Sequence, residues 1–207
     1  MIGKRVFALL PLLCLLAACG GENPKTKTVE SKKTEEVPEK TSQVVMETSK
    51  GTIKIELYDS KAPITVQNFL KYVDDKHYDG TIFHRVIPDF MIQGGGFVPG
   101  LREKGAKNPP IKNEAYNGLE NFRGTLAMAR TNQPDSATDQ FFINTKDNNF
   151  LDRAQSRDRV GYAVFGRVID GMDVVDAIRI VRTADVGGHE AVPVEDVIIK
   201  SIRRVTP

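Results

Sequence analysis

The stretch FHRVIPDFMIQGG, residues 83–95, places a single arginine among apolar side chains. Phe83 and Val86 lie on either side of Arg85, and the second half of the stretch is again mostly apolar. A guanidinium buried without a partner is energetically unfavourable, so Arg85 must be paired, reach water or meet a ligand. Taken alone, Arg85 is best explained as half of an ion pair or as an ordinary surface residue.

The composition is that of an ordinary globular protein. The chain has 207 residues, of which 40% are hydrophobic and 27% charged, and this length suits one domain of about 150–200 residues. Apart from Lys4 and Arg5, basic and acidic side chains are equal in number, so we expect no nucleic-acid partner. Both cysteines, Cys14 and Cys19, precede the folded part, which therefore has neither a disulfide nor thiol chemistry.

The sequence of the N-terminus predicts a targeting signal. Lys4 and Arg5 precede an apolar run over residues 6–18, which is too short to span a bilayer comfortably and suits the core of a signal peptide. The run ends in Leu-Ala-Ala-Cys, which resembles the lipobox of bacterial lipoproteins. This resemblance implies that residues 1–18 are a signal peptide and that Cys19 is lipidated. An ordinary secretory signal cut nearby, or a short anchor, is the alternative.

Gly20, rather than an aspartate, follows Cys19. By resemblance to lipoproteins this implies a lipid-anchored protein of the cell envelope, at the outer membrane and facing the periplasm. Residues 20–42 contain only Val29 and Val37 as apolar side chains among many lysines and glutamates. Such a segment cannot bury enough surface to fold. We therefore predict a disordered tether up to residue 42 and one folded domain over residues 43–207.

Alternating and helical patterns begin at Gln43. Two alternating runs around residues 49–51 predict an antiparallel hairpin. A first helix is predicted after Pro63, and a second with Asp170 as its N-cap. Six further strands are predicted, at TIFHRVI, FMIQGG, GTLAMAR, QFFINT, YAVFGRVI and VIIKSIRRV. About eight short strands and two helices without βαβ alternation indicate a mainly β antiparallel barrel or sandwich.

Motifs for cofactors, metals and hydrolysis are weak. The glycines at residues 94–96 lack the context of a phosphate-binding loop and are interpreted as a turn. The three histidines have no metal-ligand spacing, and no G-x-S-x-G sequence occurs. We therefore expect neither a metal nor a cofactor. Phe141 and Phe142 are adjacent in a predicted strand, so one can fill the core while the other lines a surface.

Several blocks together resemble the signature sequences of cyclophilins, which are peptidyl-prolyl cis-trans isomerases. They are FHRVIPDFMIQGG, GTLAMAR, SATDQFFINT, NNFLD and YAVFGRVIDGMDVVD. The similarity extends over residues 44–205, in the right order, and is especially close to short bacterial cyclophilins. It implies an eight-stranded antiparallel β-barrel capped by two α-helices. It also implies a monomer without a cofactor that isomerises X-Pro bonds in proline-containing polypeptides.

The resemblance also assigns site residues by position. Arg85 corresponds to the catalytic arginine. The proline pocket corresponds to Phe90, Met91, Phe142, Leu151 and Tyr162. The positions that hold the substrate backbone or flank the pocket correspond to Gln93, Ala129, Arg130, Gln140 and Phe150.

Three of these positions depart from the eukaryotic pattern. Phe150 stands for a tryptophan, Tyr162 for a histidine, and Arg130 for an asparagine whose main chain makes the contact. Because Phe150 lacks an indole N–H donor, we expect weak cyclosporin binding. The Arg130 contact is made by the main chain and Tyr162 can still form a pocket wall, so activity is expected to survive.

Two other functions remain open from the sequence. One is a non-catalytic module, a chaperone or adaptor that holds proline-containing segments with the same pocket. The other is an envelope scaffold in which the tether matters most. The sequence also leaves open whether the segment DRAQSRDRVG, residues 152–161, shapes substrate choice or is only a long surface loop.

Overall fold

The computed structural model describes residues 41–205. The predicted signal peptide, Cys19 and nearly all of the predicted tether lie outside the described residues. In chain order the elements are β1 Ser42–Thr48, β2 Gly51–Leu57, α1 Pro63–Asp74, β3 Thr81–Ile87, β4 Met91–Gly94, β5 Phe97–Val98, β6 Arg102–Glu103, β7 Thr125–Met128, β8 Phe141–Asn144, a 3₁₀ turn Asn149–Leu151, β9 Val164–Asp170, α2 Met172–Arg179, β10 Thr183–Val186, β11 His189–Pro193 and β12 Ile198–Arg204.

Eight strands close into an antiparallel barrel in the order β1-β12-β3-β4-β8-β7-β9-β2. These are the eight strands predicted from the sequence. The pattern was compatible with a barrel or a sandwich, and the structure is a barrel. The hairpin prediction is confirmed, since β1 and β2 pair from Ser42 opposite Leu57 to Thr48 opposite Gly51. Alternation sets the inner face: along β2, Ile53, Ile55 and Leu57 are fully buried because successive side chains point to opposite faces.

Helix α1 covers the barrel core with the predicted apolar face. Val66, Phe69 and Val73 are buried, and the Phe69 ring meets that of Phe141 edge to face, with 5.6 Å between centroids. The helix has no side-chain cap at its own N-terminus. Instead Glu114 accepts hydrogen bonds from the backbone N–H groups of the two residues after Pro63, at 3.2 and 2.7 Å. A distant loop therefore satisfies the free donors of the first turn.

The predicted N-cap of the second helix is wrong by one residue. Helix α2 begins at Met172 with Gly171 as its N-cap, in the left-handed conformation at φ 87°. A Cβ on Gly171 would lie 2.3 Å from the carbonyl oxygen of Thr52, so glycine is needed there. Asp170 is instead the last residue of β9, and its carboxylate pairs with Lys54 at 3.1 Å.

Two small sheets outside the barrel were not predicted. They are the pairs β5–β6 and β10–β11. Gly95 and Gly96 form the bend that leads from β4 into β5, as predicted, whereas Gly94 is the last residue of β4 and pairs with Phe83 and Phe141. The β10–β11 hairpin packs against β3, which carries Arg85. Over residues 41–205, no helix is long and apolar enough to cross a membrane.

Candidate active site

The candidate site is built on the outer face of strands whose inner face fills the barrel. On β8, Phe141 belongs to the main core, whereas Phe142 belongs to a second apolar cluster. The opposite orientations predicted for these two rings are therefore confirmed. The buried members of the second cluster are Met91, Ala127, Phe142, Leu151 and Val164, with Phe90, Leu119 and Tyr162 packed against them.

This second cluster surrounds a cavity of about 170 Å³. The cavity is lined by Arg85, Phe90, Met91, Gln93, Ala129, Arg130, Phe142, Leu151 and Tyr162. Nine of the eleven side chains assigned to catalysis or peptide binding by resemblance thus meet around one space. They come from β3, the turn between β3 and β4, β4, β8, the 3₁₀ turn and the segments after β7 and before β9. Most of the lining side chains are aromatic or aliphatic, and Arg85, Gln93 and Arg130 add polar groups to the lining.

Gln140 and Phe150, the other two predicted residues, do not line the cavity but contact residues that do. The Gln140 side-chain oxygen accepts a hydrogen bond from Gln93 Nε2 at 2.9 Å. The Phe150 ring lies 5.5 Å from the Phe90 ring, centroid to centroid, and is 58% exposed. Gln140 therefore orients Gln93, and Phe150 extends the apolar surface outward from the cavity.

Arg85 is neither an unpaired buried charge nor a free surface residue. It lies opposite Gln93 in the β3–β4 ladder, and its side chain is 33% exposed. Its Nη2 atom is 3.8 Å from the Glu190 carboxylate, which is itself 78% exposed. That separation is longer than a hydrogen bond. Within the described part of the chain the Arg85 guanidinium donates no hydrogen bond to protein, and the residue lines the cavity.

His84, the neighbour of Arg85 on β3, is buried and takes no part in the cavity. Its ring packs against Phe97 with 4.5 Å between centroids. Burial, together with electrostatic interactions with His189 and Arg85, lowers the pKa of His84 to about 4. The ring is therefore neutral near pH 7.

In residues 41–205, no group of three or more His, Cys, Asp or Glu side chains is placed so that it could hold a metal ion.

A polar network that sequence reasoning missed holds the Phe90 segment. The Phe90 carbonyl accepts hydrogen bonds from the Thr145 backbone at 3.1 Å and from Asn148 Nδ2 at 2.8 Å. Asn148 also donates to the Asn144 side chain at 2.8 Å. Both asparagines are buried. The run NTKDNN at 144–149 was a possible signal, but its partner 58 residues earlier cannot be deduced from spacing.

The chain matches the family model described as "Cyclophilin type peptidyl-prolyl cis-trans isomerase/CLD" over residues 43–204. It is 61% identical over 160 residues to a peptidyl-prolyl cis-trans isomerase of Acinetobacter baylyi, covering 77% of this chain and 84% of that one. It is 58% identical over 160 residues to peptidyl-prolyl cis-trans isomerase B of Escherichia coli, covering 77% and 97%.

This chain belongs to the cyclophilin-type peptidyl-prolyl cis-trans isomerase family. The fold agrees with that of a solved cyclophilin-type isomerase from Cryptosporidium parvum, with a TM-score of 0.70 at 29% identity, covering 81% of this chain and 99% of that one. The same Cryptosporidium protein solved in the presence of the dipeptide Ala-Pro gives a TM-score of 0.69, again at 29% identity, over 80% of this chain and 99% of that one.

Arg130 in this cyclophilin connects the cavity to the following loop. Its side chain is only 3% exposed, and its Nε donates to the Gly161 carbonyl at 3.0 Å. Its Nη2 donates to the Asp158 carboxylate, and its guanidinium lies 4.4 Å from the centroid of the Tyr162 ring. The Tyr162 ring in turn meets Phe142 edge to face at 5.8 Å. Arg130 therefore supports one wall of the cavity from behind.

The backbone N–H and C=O groups of Arg130 are available to bind a ligand. In the part of the chain that the structure describes, the backbone N–H and C=O of Arg130 form no hydrogen bond, whereas the neighbouring Ala129 N–H donates to the Gln140 carbonyl at 3.0 Å. Free backbone groups at the edge of an apolar cavity can bind the main chain of an extended peptide. The replacement of asparagine by Arg130 in this cyclophilin is compatible with such a contact, since the contact does not use the side chain.

Proposed function

We propose that this cyclophilin accelerates rotation about X-Pro peptide bonds, with Arg85 as the catalytic residue and the 170 Å³ cavity as the proline pocket. The observation that carries the proposal is a guanidinium free of protein hydrogen bonds at the mouth of an apolar cavity. The family supports the activity, and the Ala-Pro dipeptide named with the Cryptosporidium relative supports the kind of ligand.

The reaction needs no nucleophile, because no bond breaks. A peptide bond resists rotation because the nitrogen shares its lone pair with the carbonyl, which gives a barrier of about 18–20 kcal/mol. In the twisted transition state that sharing is lost and the prolyl nitrogen becomes a hydrogen-bond acceptor. Arg85 can donate to this lone pair, which is hardly available in the planar ground state. An interaction confined to the transition state raises the turnover rate.

The cavity walls make that donation effective. Phe90, Met91 and Phe142 offer an apolar surface to the pyrrolidine ring, and the bound ring excludes water from the neighbourhood of Arg85. A fixed donor acts more strongly where water is excluded. Raising exchange from about 10⁻² to about 10³ per second requires about 7 kcal/mol, which ring positioning and one arginine can share.

The polar groups at the edge of the cavity bind the substrate backbone. Gln93 is oriented by Gln140 at 2.9 Å, and the main chain at Arg130 forms no hydrogen bond with the rest of the described chain. These groups can hold the residue before the proline while the part beyond the proline turns. Because the residue before the proline is held in place, the part of the peptide beyond it can rotate about the X-Pro bond while the substrate stays bound.

Exchange NMR on an Ala-Pro peptide with purified protein tests this function. Catalysed cis–trans exchange is expected at substoichiometric protein concentration. Binding without faster exchange would favour the non-catalytic proline-binding module, which uses the same pocket but has no need for a free guanidinium. Activity of the 43–207 fragment would show that the tether is not essential and would make the scaffold function insufficient.

We also propose that the protein acts as a lipid-anchored monomer at the cell envelope, at the outer membrane and facing the periplasm, where it assists the folding of envelope proteins. The support is the apolar run that ends in Leu16-Ala17-Ala18-Cys19, followed by the polar segment 20–42. Cys19→Ser is expected to release the protein from the membrane fraction. Unchanged membrane fractionation of Cys19→Ser would contradict the lipid anchor.

A further inference from the structure

A second cavity, of about 580 Å³, lies beside the proposed proline pocket. It is formed by two segments, residues 115–120 and 152–159, and its lining includes Leu119, Arg153 and Arg159. Leu119 also packs against the apolar cluster of the proline pocket, so one side chain borders both spaces. The second cavity takes no part in the mechanism proposed above.

The loop at residues 152–159 has three exposed arginines, whereas both of its acids are held by other groups of the protein. Arg153, Arg157 and Arg159 are exposed, and among residues 41–205 none of the three has a carboxylate within ion-pair distance. Asp152 is buried, and its Oδ1 accepts hydrogen bonds from the Asn121 backbone and side chain at 2.7 and 2.8 Å. The other acid, Asp158, is 44% exposed, but its carboxylate pairs with the buried guanidinium of Arg130. The loop therefore has a cationic outer surface.

The charge of Asp158 stays fixed in this arrangement. Hydrogen bonds from the backbone N–H of Val160, and further bonds from Arg130 and Gly161, hold the pKa of the Asp158 carboxyl well below its usual range. The loop keeps this internal ion pair throughout the neutral pH range, so its three exposed arginines are not neutralised from within. Glu120 lines the second cavity, and its charge can offset that of one of the three exposed arginines.

The two ends of the loop are fixed to the proline pocket. Leu151 precedes it and Tyr162 follows it, and both line the pocket. With consecutive Cα atoms about 3.8 Å apart, the Cα of Arg153 lies within about 8 Å of that of Leu151. An extended peptide advances about 3.3 Å per residue. Side chains two to four residues from a bound proline can therefore come within reach of Arg153, the arginine nearest to Leu151 along the chain.

We propose that this arginine loop binds acidic side chains that flank the proline, so that acidic proline-containing segments are the preferred substrates. The inference rests on the proposed isomerase function and names a substrate class for it. Charge complementarity at an interface acts on specificity and on the rate of encounter. An anionic membrane surface offers the same charge but does not account for a cationic loop fixed at both ends to the peptide pocket.

The test compares three peptides with an Ala-Pro core flanked by glutamates, glutamines or lysines, measured by exchange NMR at low ionic strength. We expect kcat/KM to be about 3- to 10-fold higher for the glutamate than for the glutamine peptide, since each exposed charge pair contributes modestly. The lysine peptide is expected to be the poorest substrate. At 1 M salt the screening length is about 3 Å. The ratio of kcat/KM for the glutamate peptide to that for the glutamine peptide is then expected to approach one.

Matched variants locate the source of the preference. Arg153→Gln/Arg157→Gln/Arg159→Gln is expected to remove the glutamate preference. Lys50→Gln/Lys71→Gln/Lys76→Gln removes the same net charge from exposed sites that line neither the pocket nor the second cavity and is expected to keep it. If circular dichroism shows that the triple arginine variant is unfolded, Arg153→Gln/Arg157→Gln is used, and a loss of at least half of the preference on a logarithmic scale is expected.

The outcomes separate this inference from the proposed function. If the native protein fails to isomerise the glutamine peptide, the proposed function itself fails. If it isomerises all three peptides equally, or if the arginine variant keeps the preference, the arginine loop does not select substrates. Arginine-dependent binding to phosphatidylglycerol vesicles without any peptide preference would assign the loop to the membrane surface and overturn the inference.

Discussion

Replacing Arg130 with alanine should weaken both the fold and substrate capture. The side chain is almost fully buried and donates hydrogen bonds to the Gly161 and Thr131 carbonyls, each at 3.0 Å, and to the Asp158 carboxylate. Its guanidinium also lies over the Tyr162 ring. Arg130→Ala removes all four contacts while leaving the backbone groups of residue 130 in place.

The size of the effect follows from these contacts. Each hydrogen bond contributes a net of about 0.5–1.5 kcal/mol, and the contact with the Tyr162 ring adds about 0.5–2 kcal/mol. Asp158 is 44% exposed, so water can solvate its carboxylate after Arg130 is removed, and no fully stranded charge remains. The free energy of unfolding should therefore fall by about 2–4 kcal/mol, which lowers the Tm by about 5–15 °C for a domain of this size.

Arg130→Ala should change KM more than kcat. Without Arg130 the Tyr162 wall and the following loop lose their support, so KM for an Ala-Pro peptide should rise by more than kcat falls. Arg130→Lys should recover only part of the stability, because an ammonium cannot serve several fixed acceptors as a planar guanidinium does. Urea unfolding and exchange NMR measure the two effects separately.

Arg203→Ala is the matched control. Arg203 pairs with Asp79 through two hydrogen bonds of 2.8 and 2.6 Å, but this pair is exposed, and exposed pairs contribute about 1 kcal/mol or less. If Arg130→Ala unfolds within about 0.5 kcal/mol of the native protein and keeps its KM, Arg130 does not support the pocket wall.

Three further predictions concern pH, geometry and an inhibitor. The pKa of His84 is about 4 in the folded protein against about 6.5 when unfolded. Since the unfolded state takes up the proton first, stability present above about pH 6.5 is lost as the pH falls towards 4, by about 2 kcal/mol between pH 7 and 5. Urea unfolding at both pH values should show this loss in the native protein and a smaller one in His84→Gln; equal losses would contradict it. A Cβ at Gly96 would lie 2.5 Å from the Gln140 side chain, so Gly96→Ala should displace Gln140 and break its bond to Gln93, raising KM by about 2- to 10-fold; an unchanged KM would refute this. Phe150→Trp should tighten cyclosporin binding by supplying an indole N–H, as titration of both proteins would show, and equally tight binding of both would mean that this position does not limit affinity.

Local periodicity was sufficient to predict the barrel strands and the two faces of β8. A two-residue alternation is a property of the strand itself, so the burial of Ile53 and Ile55 and the opposite orientations of Phe141 and Phe142 were readable from the chain. Whether the strands close into a barrel or stack as a sandwich depends on long-range pairing. Pattern alone left that choice open, and the resemblance to cyclophilins resolved it.

The contacts that complete the site could not be predicted in this way. The Glu190 carboxylate lies near Arg85 because the hairpin β10–β11, absent from the predicted elements, packs against β3. Glu114 caps α1 from about 50 residues away, and Arg130 meets Asp158 across 28 residues. Each contact joins segments whose proximity follows only from the closed barrel, and no local pattern encodes it.

The central claim is that Arg85 acts mainly in the transition state, and one measurement tests it most directly. Exchange NMR on an Ala-Pro peptide is compared for the native protein, Arg85→Ala and Arg85→Lys, with circular dichroism to verify folding and a titration to measure peptide affinity. Loss of a donor of this kind typically lowers turnover by about 10²–10³. Arg85→Ala should show that loss with peptide affinity largely retained, and Arg85→Lys should recover little of it. A folded Arg85→Ala protein that exchanges the peptide at a near-native rate would contradict the mechanism.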